Sequence, residues 1–266
     1  MNFYRHLIIS ALAMTAILAG CGQRGTASAA SVSMPLDSLN IVDSVSSEGS
    51  QAYVRIRLVY PVADDAASDS IRQWIADVMS ASAATEQTPK AFTVTGAASM
   101  PAMAREVADS LLAMSRRDFV DLKSDIPDQV GMLYTFEFSA DTVAITPTYA
   151  TLGFSGYTFV GGAHGSAYFI PALFALPSGR QISWDDLIAT GRQAELLDMI
   201  RRALMEQYFE VSTSEAFADM LLVSPSEIQL PAAGPVLTPR GLDVIYQQYE
   251  IAPYAAGMPS CTIPMA

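Results

Sequence analysis

The chain has 266 residues, of which 51% are hydrophobic and 16% are charged. This size and composition predict a folded core, and they exclude a wholly disordered chain, a collagen-like repeat and a disulfide-rich scaffold. The formal net charge is −12. Such an acidic balance offers little basic surface for the phosphates of nucleic acid, so the sequence predicts no nucleic-acid partner.

The N-terminus has the pattern of an export signal. Arg5 precedes an apolar run, residues 7–18, that is too short to cross a bilayer comfortably and ends in small residues. The sequence Leu18-Ala19-Gly20-Cys21 resembles the lipobox of bacterial lipoproteins, in which the cysteine is lipidated and the chain is cut before it. An ordinary signal peptide that ends in a cysteine is the other interpretation.

The lipobox resemblance implies a lipid-anchored protein of the cell envelope, either periplasmic or surface-exposed. Residues 1–20 would be the signal peptide, and residues 21–50 would carry the lipidated Cys21 and a flexible tether. No later stretch is a credible membrane span. The membrane is therefore an expected partner only through the N-terminal lipid.

The first predicted strand covers residues 52–60, which alternate between apolar and other side chains. Ser68 or Asp69 is predicted to cap a helix, because apolar residues then recur at helical spacing. That stripe consists of Ile71, Trp74, Ile75, Val78 and Met79. A second helix is predicted from Pro101, since proline suits a first helical turn, with one face formed by Met103, Val107, Leu111 and Met114.

Alternation over residues 130–138 predicts another strand, with residues 143–149 as its hairpin partner. The C-terminal elements are predicted as strands over 167–176, 181–183, 242–248 and 261–263 and as helical segments over 184–188, 196–208 and 214–222. No regular βαβ rhythm appears. The sequence therefore predicts an α+β fold with mixed, mostly antiparallel sheets, packed helices and two loosely defined halves, 51–150 and 151–266.

Motifs of known catalytic chemistry are missing. The sequence contains no HExxH, CxxC, P-loop or GxSxG pattern, and His164 is its one histidine beyond the export signal. We therefore predict no metal and no cofactor. Cys261 loses its only possible partner if Cys21 is lipidated, and it is predicted to be a buried, inert residue of a strand.

One mixed cluster combines glycines with Tyr157 and His164, in the sequence Tyr157-Thr158-Phe159-Val160-Gly161-Gly162-Ala163-His164-Gly165. Glycines allow backbone angles that other residues resist, so this loop either presents N–H groups to a ligand or forms a tight connection. His164 is a lone candidate acid or base, or an imidazole that satisfies a backbone group. We favour the structural interpretation for this cluster.

The second cluster follows a predicted strand and contains Tyr249, Glu250 and Tyr254. Two tyrosines with a glutamate form a plausible recognition surface, because tyrosine combines contact area with a polar tip. Bracing of the strand end is the other interpretation, and it is the one that we favour for this cluster. We predict that the two clusters lie side by side, with Glu250 accepting hydrogen bonds from the glycine loop or from His164.

Three stretches together suggest a family resemblance. They are Gly161-Gly162-Ala163-His164-Gly165, the turn 177–180 leading into Trp184-Asp185-Asp186-Leu187, and the run from Gly241 to Gly257. In this order they resemble the RsiV-like/PdaC-like extracytoplasmic domain family, which includes an anti-sigma factor ectodomain and a deacetylase accessory region. The likeness covers roughly residues 148–264, and residues 53–79 are more weakly similar to the domain that usually precedes it.

The resemblance implies an extracytoplasmic α+β binding or sensing module. Our leading expectation is a ligand-binding envelope lipoprotein whose partner is a lysozyme-like protein or a peptidoglycan fragment. Its candidate ligand-binding or structural residues are Tyr157, Gly161, Gly162, His164, Gly165, Tyr249, Glu250 and Tyr254. The alternatives are an uncharacterised envelope hydrolase that uses His164 and Glu250, or a structural envelope component. Without a recognisable nucleophile beside that pair, a non-enzymatic role is favoured.

Overall fold

A computed structural model describes residues 34–83, 92–128 and 130–265, which all fall in one compact unit, 32–266. The predicted export signal, Cys21 and the first part of the predicted tether lie outside the described residues. The strands are β1 (Leu36–Ser47), β2 (Ser50–Pro61), β3 (Leu133–Ile145), β4 (Tyr149–Phe159), β5 (Ser166–Ala175), β6 (Gln181–Ile182), β7 (Val236–Thr238), β8 (Gly241–Ile245) and β9 (Ser260–Ile263). The helices are α1 (Ala66–Ala83), α2 (Met100–Asp125), α3 (Trp184–Leu187), α4 (Gln193–Ala203) and α5 (Ser214–Asp219).

The described residues form two sheets. The first has six strands in the order β1-β2-β3-β4-β5-β6, and every neighbouring pair is antiparallel except β2 and β3, which are parallel. Parallel neighbours need a crossover, and α1 and α2 lie in the connection between these two strands. The second sheet is the antiparallel set β7-β8-β9. The predicted α+β class with mostly antiparallel strands is confirmed.

Helices α1 and α2 cover one face of the large sheet. The apolar stripe predicted for α1 is buried there against Val54, Ile56, Phe136 and Phe138 of the sheet. Helix α2 adds Met103, Val107 and Leu111 to the same core, with Met114 partly buried against it. Both helical stripes were therefore correctly predicted from their spacing.

The buried Arg72 fastens the turn between β2 and α1. Its Nη1 donates to the carbonyl oxygens of Pro61 at 2.8 Å and Ala63 at 3.0 Å, and its Nη2 pairs with Asp69. The predicted cap at Ser68 or Asp69 was wrong, because Asp65 accepts from the Ser68 N–H at 2.8 Å and α1 begins at Ala66. A guanidinium that is only 1% exposed is tolerated here because these carbonyls and the carboxylate accept from both of its terminal nitrogens, while its Nε has no hydrogen-bond partner among the described residues.

A smaller core belongs to the C-terminal elements. Ile200 and Leu204 of the α4 region pack with Phe217, Val244 and Cys261, and all five side chains are buried. The predicted helix over 196–208 is present as α4 followed by a π turn, Leu204–Tyr208. Cys261 is buried in β9, as predicted.

Three predictions about elements need correction, and two strands were missed. Residues 36–47 were assigned to the tether but form β1, because Ile41 and Val45 are buried under α2 despite the surrounding serines and aspartates. No hairpin turn separates 130–138 from 143–145, since β3 runs through both with a register shift near residue 143. Strands β4 and β7 were not predicted, and the boundary placed at residue 151 lies inside β4.

Strand β4 was not predicted from the sequence because it contains several glycines, and glycine is depleted in strands. Here the glycines make room for aromatic rings. A Cβ at Gly156 would lie 2.0 Å from Cζ of Tyr168, and one at Gly153 would lie 2.5 Å from Cε2 of Phe169. The strand is therefore built for neighbouring rings of β5 rather than for its own side chains.

None of the helices in the described ranges combines the length with the apolar character that crossing a bilayer requires.

We predict that Trp74→Ala lowers the free energy of unfolding by about 3–5 kcal/mol, as is usual for a large-to-small change in a core. Trp74 is 9% exposed and makes an edge-on contact with Phe174, with ring centroids 6.2 Å apart. Urea titration of the folded domain would measure the loss. The exposed Leu222, changed to alanine, serves as the control, and a loss below about 1 kcal/mol at Trp74 would contradict the packing described here.

Candidate functional site

The loop between β4 and β5 carries the glycine cluster. Gly161 and Gly162 adopt φ angles of 94° and 92°, which side chains other than glycine rarely accept. Gly165 is needed for a different reason, since a Cβ there would lie 2.4 Å from the hydroxyl oxygen of Tyr157. The Tyr157 ring therefore rests directly on the main chain at Gly165.

The rings of His164 and Tyr254 stack on each other, although the two residues are far apart in the chain. Tyr254 also contacts Gly165, which is the neighbour of His164 and lies 89 positions away. The centroids of the two stacked rings are 3.8 Å apart with an interplanar angle of 22°. The Tyr254 hydroxyl donates to the Gly165 carbonyl oxygen at 2.9 Å, and Nδ1 of His164 lies 3.0 Å from the same oxygen. Because a carbonyl oxygen only accepts, Nδ1 carries the proton and Nε2 is the nitrogen left for a ligand.

Two glutamines join the C-terminal segment to the outer edge of β5. The side chain of Gln247 accepts from the Phe169 N–H at 3.0 Å and donates from Nε2 to the Phe169 carbonyl at 2.7 Å. The side chain of Gln248 accepts from the Ala167 N–H at 3.1 Å. These primary amides therefore replace the peptide groups of a neighbouring strand.

The other backbone N–H groups on this outer edge of β5 also have partners, apart from position 171, where proline has none to offer. Proline at position 171 brings no N–H, Leu173 pairs with Ile182 of β6, and the Ala175 N–H donates to the Arg180 carbonyl at 2.8 Å. Alternate residues of a strand point their backbone groups to the same side, so positions 167, 169, 171, 173 and 175 form one edge. Each backbone N–H along it has a partner, as buried or covered sheet edges require.

Tyr249 has a backbone conformation that is rare for its residue type. Its φ is 65°, in the left-handed region that costs a non-glycine residue roughly 1–2 kcal/mol. Glu250 holds this turn, because its carboxylate accepts from the Gln247 N–H and the Ala232 N–H, each at 2.7 Å. The Tyr249 side chain remains 56% exposed, with its ring centroid 5.8 Å from that of Tyr254.

These residues enclose a shallow cleft of about 250 Å³, which we call the tyrosine cleft. Its lining consists of His164, Gly165, Ser166, Ala167, Tyr168, Gln247, Gln248, Tyr249 and Tyr254. Among these described residues none is aspartate, glutamate, lysine or arginine. The cleft therefore offers aromatic faces, an imidazole nitrogen and amides, and it has no fixed charge of its own.

The structure brings the two predicted clusters together, which confirms that they lie side by side. The predicted pairing of Glu250 with His164 or the glycine loop was wrong, because both carboxylate oxygens are occupied by the backbone of residues 232 and 247. Tyr254, rather than Glu250, binds the glycine loop. Gln247 and Gln248 were not predicted as functional residues, and the only sequence signal was their position at the end of an alternating strand.

A larger groove, of about 810 Å³, lies beside α1 and is lined by Gln73, Trp74, Asp77 and Phe174 among others. Two of its polar side chains are engaged with each other, since Nε2 of Gln73 donates to Asp77 at 2.8 Å and also to the Phe92 carbonyl at 2.9 Å. Its aromatic floor belongs to the main core. We therefore place the candidate site at the tyrosine cleft.

No group of three or more histidine, cysteine, aspartate or glutamate side chains in the described part of the chain is arranged to hold a metal ion.

Comparisons with known proteins bear on the fold and leave the activity open. Residues 185–266 match the model of a family described as "Protein of unknown function (DUF3298)". The match includes Gln247 to Tyr254. It begins at residue 185, after the glycine loop, which is therefore not part of it. No curated protein matches the chain.

Two solved structures of DUF3298 family proteins have a fold similar to that of this chain. A DUF3298 family member from Bacteroides fragilis NCTC 9343 aligns with a TM-score of 0.69 at 18% identity, covering 86% of this chain and 89% of its own. A DUF3298 family protein from Pseudomonas aeruginosa PAO1 aligns with a TM-score of 0.51 at 18% identity, covering 86% and 91%. The likeness extends well beyond residues 185–266 and includes most of the large sheet.

We predict that Glu250→Ala lowers the free energy of unfolding by about 1–3 kcal/mol, because two backbone N–H groups lose a charged acceptor. Thermal or urea unfolding would measure it. The exposed Glu206, which makes no hydrogen bond within the described residues, is the matched control and should change stability by less than about 0.5 kcal/mol on mutation to alanine. Equal effects at both positions would contradict the bracing role.

Cys261 should be unreactive in the folded protein. Burial, with a smaller contribution from Asp243, raises the pKa of its thiol to about 12, so little thiolate exists at pH 8. In a Cys21→Ala chain, iodoacetamide should label Cys261 only after denaturation. Rapid labelling of the native protein at pH 8 would contradict its burial.

The same shift predicts how Cys261 affects stability at high pH. An unfolded cysteine ionises near pH 8.5. Above that pH the folded state binds more protons than the unfolded state, so the contribution of Cys261 is present below about pH 8.5 and is lost as the pH rises towards 12. Replacing Cys261 with alanine should therefore reduce the decline in stability between pH 8.5 and 10.

Proposed function

We propose that the protein is a lipid-anchored binding module of the cell envelope that takes a glycan, specifically a peptidoglycan fragment, in the tyrosine cleft. The observation that carries the proposal is the exposed aromatic platform of His164, Tyr249 and Tyr254 in a cleft lined by uncharged residues. Sugars present one apolar face and many hydroxyls. Aromatic faces and amide groups are the side chains that complement both.

The size of the cleft supports a small ligand group. About 250 Å³ is somewhat below the usual range for pockets that enclose a drug-sized molecule, and it suits one or two sugar rings bound at the surface. The Nε2 amide of Gln248 makes no hydrogen bond within the described residues, so it remains for a ligand hydroxyl or acetamido carbonyl. The Nε2 of His164 is a second polar group at the same place.

The chain's net charge of −12 favours a second candidate partner, a cationic lysozyme-like protein. Stable protein interfaces usually bury more than about 1,000 Å² and gain affinity from charge complementarity. The tyrosine cleft provides no carboxylate for such a partner, because the one beside it, Glu250, is held by the backbone. Protein binding would therefore use another acidic surface, and its rate would fall steeply with salt.

The hydrolase alternative has less support. A general acid or base must reach the proton that it transfers, yet Glu250 accepts from two backbone N–H groups and makes no hydrogen bond with His164 in the described residues. No carboxylate lines the cleft, and no hydrogen bond in the described residues joins His164 to Ser166, the serine of the lining, so nothing activates that hydroxyl as a nucleophile. A purely structural envelope component would not need Tyr249 in a strained and exposed conformation.

The proposed location rests on the sequence. The lipobox-like Leu18-Ala19-Gly20-Cys21 supports export and lipid attachment, and the resemblance to the RsiV-like/PdaC-like family supports a module that works outside the cytoplasm. In such proteins the anchor keeps the binding domain close to the cell wall. Peptidoglycan is therefore the glycan that the site would meet.

Tyr249→Asn separates binding from folding. Asparagine accepts the left-handed conformation more easily than tyrosine, so the variant should unfold at the same temperature as the parent or higher. It should nevertheless lose about tenfold or more in affinity for a soluble peptidoglycan fragment, because an exposed ring of the platform is removed. Isothermal titration calorimetry and thermal unfolding would measure the two effects.

Leu222→Ala is the control for that experiment, since Leu222 is also 56% exposed and lies outside the cleft. It should leave binding unchanged. No measurable binding of the fragment to the parent protein, or equal binding to the parent and Tyr249→Asn, would overturn the glycan proposal.

Cys21→Ala tests the anchor. If Cys21 is the lipidated residue, this change should abolish labelling with a radioactive fatty acid and move the protein from the membrane to the soluble fraction. Cys261→Ala should retain both properties and serves as the cysteine control. Unchanged labelling and membrane association in the Cys21 variant would exclude lipidation at that residue.

A further inference from the structure

The face of the large sheet opposite α1 and α2 carries a row of side chains that leads away from the tyrosine cleft. In the strand register Val42 lies opposite Arg55, Arg55 opposite Glu137, and Glu137 opposite Tyr157. Directly opposed residues of neighbouring strands project from the same face. The row therefore crosses four strands and ends at Tyr157, whose ring rests on Gly165 of the cleft.

This row is open to solvent. The side chains of Arg55 and Glu137 are 61% and 45% exposed, and Val42 and Tyr157 are 60% and 36% exposed. The C-terminal segment contacts this sheet further along, where the Thr151 hydroxyl donates to the Leu237 carbonyl at 2.6 Å. The row thus continues the floor of the tyrosine cleft onto an uncovered part of the sheet.

Arg55 is available to a ligand at a defined distance from the cleft. Within the described residues its guanidinium makes one contact, from Nη1 to Oε1 of Glu137 at 3.1 Å, although the group carries five N–H donors. Arg57 lies two residues along β2 on the same face; its side chain is also 61% exposed, and its Nη2 pairs with Asp141 at 3.4 Å. Arg55 on β2 and Tyr157 on β4 are two strands apart, so the distance between their backbones is about 10 Å.

We propose that this row extends the binding site and that it takes a linear oligosaccharide bearing carboxylates, with Arg55 as the carboxylate partner. This inference rests on the proposed function, because the tyrosine cleft binds the neutral sugar rings at one end of the chain. A guanidinium is the side chain best suited to a carboxylate, since its planar N–H groups match the two oxygens. The protein's net charge of −12 otherwise repels an anionic chain, and a ligand carboxylate would have to compete with Glu137 for the guanidinium of Arg55.

A glycan fits the row better than a peptide does. Peptides in extended conformation usually pair with the exposed edge of a sheet, whereas this row runs across strand faces, where no backbone N–H or carbonyl is offered. Peptide side chains also prefer deeper apolar pockets than the shallow cleft provides. A chain of sugar rings needs only stacking surfaces and polar groups at intervals.

The test compares two tetrasaccharides with the same backbone. One is chitotetraose, which is neutral, and the other is the peptide-free tetrasaccharide in which alternate N-acetylglucosamine residues carry a lactyl carboxylate. Calorimetry should give the parent protein about two- to fivefold tighter binding of the carboxylate form, as expected for an exposed charge-assisted contact. Arg55→Gln should remove this preference while leaving the affinity for chitotetraose unchanged.

Arg192→Gln is the matched control, because Arg192 is also an exposed arginine paired with a glutamate, Glu195, and lies outside the row. It should keep the preference. Equal affinities of the parent for the two sugars, or a preference that survives Arg55→Gln, would overturn the extended site but not the cleft. Absent binding of both sugars would overturn the cleft as well, and Arg55-dependent binding of the free stem peptide would overturn the choice of a glycan.

Discussion

The two hydrogen bonds between the Gln247 side chain and the main chain of Phe169 hold the candidate site together. Strand β6 pairs with only the far end of β5, so the near end of this edge strand would otherwise expose backbone groups. Gln247 supplies one acceptor and one donor at 3.0 and 2.7 Å, as a neighbouring strand would. The C-terminal segment is therefore registered against the large sheet by a side chain that imitates a peptide group.

The rest of the cleft follows from that attachment. Once Gln247 and Gln248 are fixed on β5, the chain must turn at once, and Glu250 closes the turn through the N–H groups of Gln247 and Ala232. The turn places Tyr249 in the left-handed region and directs the following segment back to the glycine loop, where Tyr254 stacks on His164. Glu250 thus positions the aromatic platform without belonging to it.

The large sheet gives this platform a surface to continue on. Because α1 and α2 both lie on one face, the opposite face is left for the C-terminal segment and for the open row that contains Arg55 and Tyr157. The parallel pairing of β2 with β3 brings that arginine within two strands of the cleft. A neutral aromatic end beside exposed guanidinium groups is an arrangement suited to a ligand with both kinds of chemistry.

The sequence alone predicted the helices and strands that bury one face and expose the other, because their apolar residues recur at a fixed spacing. The stripe containing Ile71 and Trp74, the alternation in β2 and the strand at Cys261 were predictable because period and hydrophobicity alone specify which face is buried. The same patterns identified the two clusters that meet at the cleft, from their glycines, tyrosines and lone histidine.

Only the tertiary structure decided what depends on partners far away in the chain. Strand β1 is recognisable only under α2, and β4 only beside the rings of Tyr168 and Phe169. The parallel contact of β2 with β3 depends on the crossover that contains both helices. Glu250 likewise binds backbone groups rather than His164, since a carboxylate bonds to the donors that the fold places nearest, and no spacing in the sequence specifies those donors.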